Sequence, residues 1–438
     1  MASSPTAPTL YWRSDTLGKP ILFMLLFALG ALVLDIYGLP EKFSFDAYVW
    51  RDNAEFTGID YLVTHGYRAN VDFGYMYGLL YLLIVRLWFL VFPASDLSTL
   101  PLSILLDLLA GAALGLVVYR MKPGLPGLAF MIIALPFAID PMGAVRLEAV
   151  FLLCALASQA SRRRDVALAF AALAALTKPA MGYVYGFVVL LLMFRELSLR
   201  KRLDLRNIAR QLRPAVTVTL LALLVLSAVF GVRSVLTTVL PLRGIEVYHA
   251  RNYGFFQRQG SEYWYFPGVT MSYYLGTGAG FWLAGSIFLV IAGARVLVRM
   301  IAGHNDSLNS QSNDELIFTC ATVHIMFVGL FYGSASSHTY FDFFLVVGIA
   351  AASVWSTRYA SAAMMLALLA MVGNWYFIKT AYVGWRNNSS RADTGWLWTS
   401  SREREEWNRV QTLVAGGRTA MLAQVCGGEL LAPQFDKP

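Results

Sequence analysis

Charge is what this sequence has least of. Lysine and arginine number 35 and aspartate and glutamate 27 in 438 residues, so charged side chains make up 14% of the chain, about half the roughly 25% usual in soluble domains. A deficit of that size argues against a water-soluble protein. Cysteine is nearly absent: Cys154 and Cys320 lie inside apolar runs and Cys426 stands alone near the end, which excludes a disulfide framework or a cysteine zinc motif. No repeat at solenoid period is present, so a repeat array is excluded as well.

What the chain has in abundance is apolar and aromatic side chains. Hydrophobic residues reach 57%, with 11 Trp, 22 Tyr and 28 Phe, and the mean hydropathy is +0.56. That blend is expected of helices in lipid with aromatic belts at the interfaces. The net charge of +8 does not point to nucleic acid, because the basic residues sit in short clusters between apolar runs, where topology accounts for them. The expected fold class is an all-α polytopic membrane protein with no nucleic-acid partner.

Stretches of suitable length and hydropathy predict about eleven transmembrane helices, at 20–39, 98–119, 125–139, 147–160, 165–177, 181–195, 214–240, 270–299, 315–334, 340–357 and 360–378. The run 73–92 is different. Arg86 stands in its middle, where a spanning helix pays heavily for a charge, and counting it as a span would put Arg120, Lys122 and Arg162 to Arg164 outside. Leaving it out gathers these residues, the basic stretch 195–213 (Arg195, Arg200, Lys201, Arg202, Arg206, Arg210, Arg213) and Arg295, Arg299 and Arg358 on one side, as the positive-inside rule asks. The run 73–92 is therefore expected to be an amphipathic or re-entrant helix on the outer side.

The resulting organisation is a cytoplasmic N-terminus over 1–19, a transmembrane domain over 20–378 with outer loops 40–97 and 241–268, and a short extramembrane C-terminal segment over 379–438 on the outer side. The loop 300–314 reads as a plain linker. In the tail, the stretch 395–417 predicts a short surface helix and 419–435 one or two strands. The first outer loop is rich in acids (Glu41, Asp46, Asp52, Glu55, Asp60, Asp72, Asp96), and the second carries eight aromatics among Arg243, His249, Arg251 and Arg258.

Immediately after the first span the chain reads SFDAYVWRDNAEFTGIDYLVTHGYRANVDFGYMYGLLYLL. An Asp on an Asp-x-Tyr-Val-Trp segment, then a small-residue helix, a Gly-Tyr turn and a Tyr-rich juxtamembrane helix resemble the first outer loop of polyprenyl-phosphate-sugar-dependent glycosyltransferases of the C superfamily, nearest to their bacterial mannosyltransferase-like branch. Four later segments resemble that family in order: 103–120, 143–157, the Lys-Pro junction in 173–191, and the Ser-x-x-His segment in 336–348. The resemblance covers roughly residues 20–378.

It implies a polyprenyl-phosphate-linked sugar donor (mannose by analogy with the branch), a glycan, lipid or protein acceptor, a bacterial plasma or inner membrane, and Asp46 as general base. The chemistry needs such a carboxylate: it takes the acceptor hydroxyl's proton as the hydroxyl attacks the anomeric carbon, an effect of about 10²–10⁴ in rate. The plainer role for Asp46 is to cap the helix beginning near Ala47. Asp52 and Glu55 need not share its face; Asp52 is retained as a substrate-binding candidate.

The departing phosphate needs cationic donors, and the outer-side candidates are Lys178, Arg146, Arg251, Arg258 and His338. Each has a plainer alternative: Lys178 precedes a proline suited to a helix start, Arg146 is expected to pair with Glu148, the loop arginines can rest in the headgroup zone, and a lone histidine is often structural. Asp107 in the second span is left out of the site. The sequence has no close Asp-x-Asp pair, unlike family members that use one, so no metal or other cofactor is assigned. Two alternatives remain, an O-antigen ligase or polymerase using His338 and the 241–268 loop, and a secondary transporter, although neither repeats nor broken midplane spans favour the latter.

Overall fold

A computed structural model describes residues 18–42, 53–73, 75, 78–93, 96–139, 143–199, 201, 203–239, 279–302, 308–331, 342–387, 390–391 and 398–399. Its helices are α1 (Gly18–Lys42), α2 (Asn53–Thr64), α3 (Leu79–Phe89), α4 (Asp96–Met121), α5 (Leu125–Ile133), α6 (Leu135–Ala138), α7 (Gly143–Ala160), α8 (Arg164–Thr177), α9 (Pro179–Leu199), α10 (Leu205–Phe230), α11 (Val232–Val239), α12 (Ala279–Ile301), α13 (Leu308–Phe331), α14 (Asp342–Ala352) and α15 (Thr357–Asn387). A two-residue ladder, β1 (Ser390–Arg391) against β2 (Trp398–Thr399), is antiparallel. Trp398 and Thr399, expected in a surface helix, are therefore strand; the rest of that stretch and 419–435 lie outside the described residues.

Among the described residues, five segments are long and apolar enough to cross a membrane: Gly18–Ile36, Pro101–Met121, Met181–Leu199, Leu205–Phe230 and Gly280–Ile301. The chain is thus a helical membrane protein. The other expected spans are helices too, but shorter, interrupted or more polar. The 125–139 stretch breaks at Ala134 between α5 and α6, and α8, with 14 residues, reaches only about 21 Å at 1.5 Å per residue.

Two boundaries differ from expectation. The stretch 195–213 is not a basic loop: α9 runs to Leu199 and α10 starts at Leu205, capped by Asp204, whose carboxylate accepts from the Asn207 backbone N–H at 2.7 Å. The expected span 214–240 is not one helix either, because α10 stops before Gly231 at φ +85° and α11 follows.

Packing runs α1 on α4, α4 on α7, α7 on α8, α8 on α9 and α10, with α12, α13 and α14 in a second row and α15 against α5. Small residues permit the closest crossing. A Cβ on Gly115 would stand 2.3 Å from the Phe23 carbonyl oxygen and one on Gly111 2.7 Å from that of Phe27, so the Gly-x-x-x-Gly face of α4 seats the α1 backbone directly.

Contacts between helix ends define two faces. Ser312 Oγ donates to the Ala160 carbonyl at 3.1 Å, Arg195 to Met300 at 3.1 Å and Trp355 Nε1 to Asp314 at 2.7 Å. Arg164 joins Glu196 and Glu315 in a buried ionic knot. The ends of α7, α9 and α12 and the starts of α8, α13 and α15 therefore share one face, and it holds Arg163, Arg195, Arg295, Arg299 and Arg358. We call it the basic face, and its opposite the far face.

On the far face the run 73–92 forms the 11-residue helix α3, whose Leu79, Tyr81, Leu82, Leu83 and Val85 are buried. It rests on α2, α8 and α10 and builds a second apolar core, distinct from the main one, that takes in Ile59, Tyr75, Leu102, Leu106, Leu147, Leu176, Leu226 and Phe230.

Candidate functional site

Three of the leucines in that second core have charged neighbours in sequence: Leu106 precedes Asp107, Leu147 lies between Arg146 and Glu148, and Leu176 is two residues before Lys178. The seam between the main core and the far-face core thus collects ionisable groups. Asp107 and Glu148 are fully buried, Arg146 is 1% exposed, and Lys178 is partly buried.

Arg146 does not pair with Glu148. Residues two apart on a helix project to opposite sides, and the Arg146 Nε donates instead to both Asp107 oxygens, at 3.0 and 3.3 Å. Arg146 occupies the first turn of α7, so Asp107 in α4 meets the far-face end of that helix. The Arg146 Nη1 is buried and finds no hydrogen-bond partner among the described residues. An orphaned guanidinium N–H in such a place is costly unless a ligand or water meets it.

Glu148, on the other side of α7, faces the start of α9. Both of its carboxylate oxygens are buried, and the Gly182 backbone N–H and the Lys178 ammonium face them.

Lys178 is the break between α8 and α9. Its backbone is extended, φ −148° and ψ 111°, as a residue before proline requires, and Pro179 opens α9 where its missing N–H costs nothing. The far-face helices dock on this break. Gly78 donates its N–H to the Thr177 carbonyl at 2.7 Å, and a Cβ there would stand 2.0 Å from the Leu176 carbonyl oxygen, so only glycine allows the approach.

One more carboxylate emerges nearby. Asp60 on α2 is 9% exposed and lies 3.4 Å from Arg86 on α3. Burial lifts its pKa above the ordinary carboxylate value, with the Arg86 charge working against that rise. Sequence reasoning counted Asp60 only among the loop acids and left Asp107 out of the site because its counterpart in the resembled family looks structural; the arginine it meets is 39 residues away in the chain. An acid set between apolar neighbours, Ile59 and Tyr61 for Asp60, Leu106 and Leu108 for Asp107, was the available signal.

The structure brings Arg146 and Lys178 to opposite sides of one helix turn. Asp46, Asp52, Arg251, Arg258 and His338 lie outside the described residues, and the side chain of Glu55 does too. No protein-family profile, no characterised protein and no solved structure matches the chain. Among the described residues no three His, Cys, Asp or Glu side chains converge as a metal site would need.

Among the described residues a groove of about 670 Å³ lies between α1, α5, α6 and α15. Its polar members are Trp375 and Asn374, whose Nδ2 donates to the Ile133 carbonyl at 2.6 Å. That is too little polar equipment for group transfer, so the far-face seam is the candidate site.

Proposed function

We propose that the chain is a membrane hexosyltransferase of the C type, taking a sugar, mannose by analogy, from a polyprenyl phosphate and placing it with inversion on a glycan, lipid or protein acceptor. The observation that carries the proposal is the buried Arg146 with an unpartnered Nη1 at the far-face seam, the kind of donor a phosphate oxygen completes. On the basic face Arg164 also keeps a buried Nε without a hydrogen bond, but its two terminal nitrogens meet Glu196 and Glu315, which leaves no net charge there for a phosphate. Buried charge gathers in separate groups, one at the far-face seam and one at the basic face, and not along a path through the bundle, which supports an interfacial enzyme over a transporter.

In this proposal about eleven helices cross a plasma or inner membrane, the basic face is cytoplasmic and the far face external, with the C-terminal segment outside. Asp46 takes the proton of the acceptor hydroxyl as its oxygen attacks the anomeric carbon. The anomeric carbon–oxygen bond to phosphate breaks, and the electron pair leaves with the polyprenyl phosphate. Arg146 and Lys178 offset the charge gathering on that phosphate, with Asp52, Arg251, Arg258 and His338 as further contacts from the loops.

The test incubates protein in nanodiscs with a panel of polyprenyl-phosphate sugars and a membrane extract as acceptor source, with and without a chelator. Release of polyprenyl phosphate should depend on one sugar and fall by about 10²-fold or more in Asp46→Asn, the scale of a lost general base. Undiminished release in that variant moves the base to Asp52, Glu55 or Glu148. No release from any donor overturns the proposal.

A further inference from the structure

The first turns of α10 carry Arg206, Arg210 and Arg213, all exposed. Spacings of four and three residues place them on one stripe of the helix. No described carboxylate pairs with them: the acid beside them, Asp204, is turned into the helix cap, accepting from the Asn207 backbone and side chain at 2.7 and 2.8 Å.

The same stripe continues down the helix as Thr217, Leu220, Leu221 and Leu224. Leu220 is 61%, Leu221 58% and Leu224 69% exposed, in a segment hydropathic and long enough to cross a membrane and only 6% buried within the protein. Half a turn away are the residues that touch the bundle, Ile208, Leu212, Ala215, Leu226 and Phe230. The side of α10 that presents hydrocarbon to lipid therefore presents its arginines in the same direction. At 1.5 Å per residue Arg213 lies about 10 Å beyond Leu220 along the axis, which reaches from the hydrocarbon core into the headgroup layer.

Topology alone does not demand this register. A positive-inside signal needs basic residues in the loop and is indifferent to which way they face. Three guanidinium groups in lipid-facing register, unneutralised, make a surface complementary to phosphate at headgroup depth. Nor is this a nucleic-acid surface: the stripe has no aromatic side chain for base stacking, and it runs unbroken into a face that belongs in hydrocarbon.

We propose that Arg206, Arg210 and Arg213 bind the headgroup of an anionic phospholipid in the leaflet at the basic face. The inference is independent of the transferase assignment.

Full-length protein in mixed micelles is titrated with fluorescent phosphatidylglycerol and with fluorescent phosphatidylcholine, at low and high salt. Phosphatidylglycerol should bind more tightly, and its advantage should shrink as salt rises. Each arginine-to-glutamine change should weaken it about fivefold and R206Q/R210Q/R213Q by about a hundredfold, the scale of juxtamembrane basic residues at an anionic surface. The pair R120Q/K122Q, cations at and just past the end of α4, should leave the preference intact. Equal binding of both lipids, or full phosphatidylglycerol binding by the triple variant, overturns the proposal. So does competition by inorganic phosphate or a short RNA at matched phosphate concentration, which would mark a site for soluble anions. If the triple variant does not fold, the wild-type headgroup and salt preferences and the three single variants decide.

Discussion

The Arg146–Asp107 pair gives the sharpest quantitative expectation. With side chains 1% and 0% exposed and Nε 3.0 Å from the carboxylate, it is a desolvated ion pair, and neutralising one partner leaves the other charge uncompensated. Asp107→Asn should therefore cost about 3–5 kcal/mol. A neutral hydrogen bond between membrane helices averages only about 0.6 kcal/mol, so a loss above about 2 kcal/mol identifies charge, not hydrogen bonding, as the source. Replacing both partners with hydrocarbon, Asp107→Leu/Arg146→Met, removes the charges together and should return stability to within about 1–2 kcal/mol of the starting protein. Reversible unfolding by denaturing detergent in mixed micelles measures all three free energies. An Asp107→Asn cost under about 1 kcal/mol refutes the ion-pair argument, as does a double variant whose loss equals the sum of the single losses. The same double variant separates architecture from chemistry: folded yet unable to release polyprenyl phosphate, it assigns Arg146 to the ligand; folded and active, it reduces the pair to a strut.

Two further outcomes follow from the far face. Gly78→Ala forces a methyl to within 2.0 Å of the Leu176 carbonyl oxygen, an overpacking of at least about 1–3 kcal/mol; hydrogen exchange over 53–92 should quicken while the bundle keeps its protection, and unchanged protection there refutes the docking. Asp60 binds its proton more tightly when folded than the ordinary carboxylate value of 3.8, so its contribution is fully present below 3.8 and lost as pH rises through the elevated folded value. Asp60→Asn should remove that downward slope from a stability-against-pH curve, and a slope that is unchanged or reversed in the variant contradicts the burial of this carboxylate.

The sequence made the membrane class and the gathering of basic residues legible because both are additive over many residues. The short helix at 79–89 was legible for a different reason: one arginine, Arg86, in an apolar run that otherwise reads as a span. Helix ends in the basic stretch were misjudged because Leu, Arg and Gln at 205–213 are good helix formers that a hydropathy window scores as loop. The pairing of Arg146 was missed on geometric grounds. Glu148 is its neighbour along the chain but points the other way, while Asp107 is reached only once α4 and α7 pack together, a contact no local pattern encodes. Asp60 was hidden likewise, since its burial depends on α2 lying against α3.

The seam accounts for how a chain so poor in charge can keep Asp107, Arg146 and Glu148 out of water. Each sits beside a leucine, Leu106 or Leu147, that turns into the far-face core, so the apolar burial that holds α2 and α3 in place also seals the charges. The two functions are coupled. Any ligand that meets Arg146 Nη1 or the Glu148 carboxylate must either enter along that seam or loosen the far-face core, and the least apolar contact is lost where Gly78 meets the α8–α9 break, because a glycine contributes no side chain to the packing. Approach at that point delivers a ligand first to Lys178 and then to Glu148, with Arg146 screened behind α7 on the α4 side. Variants at Lys178 should accordingly act mainly on the rate of ligand association, whereas Arg146 variants should act mainly on residence once the phosphate is bound, and equal effects of the two on association refute this order of contact.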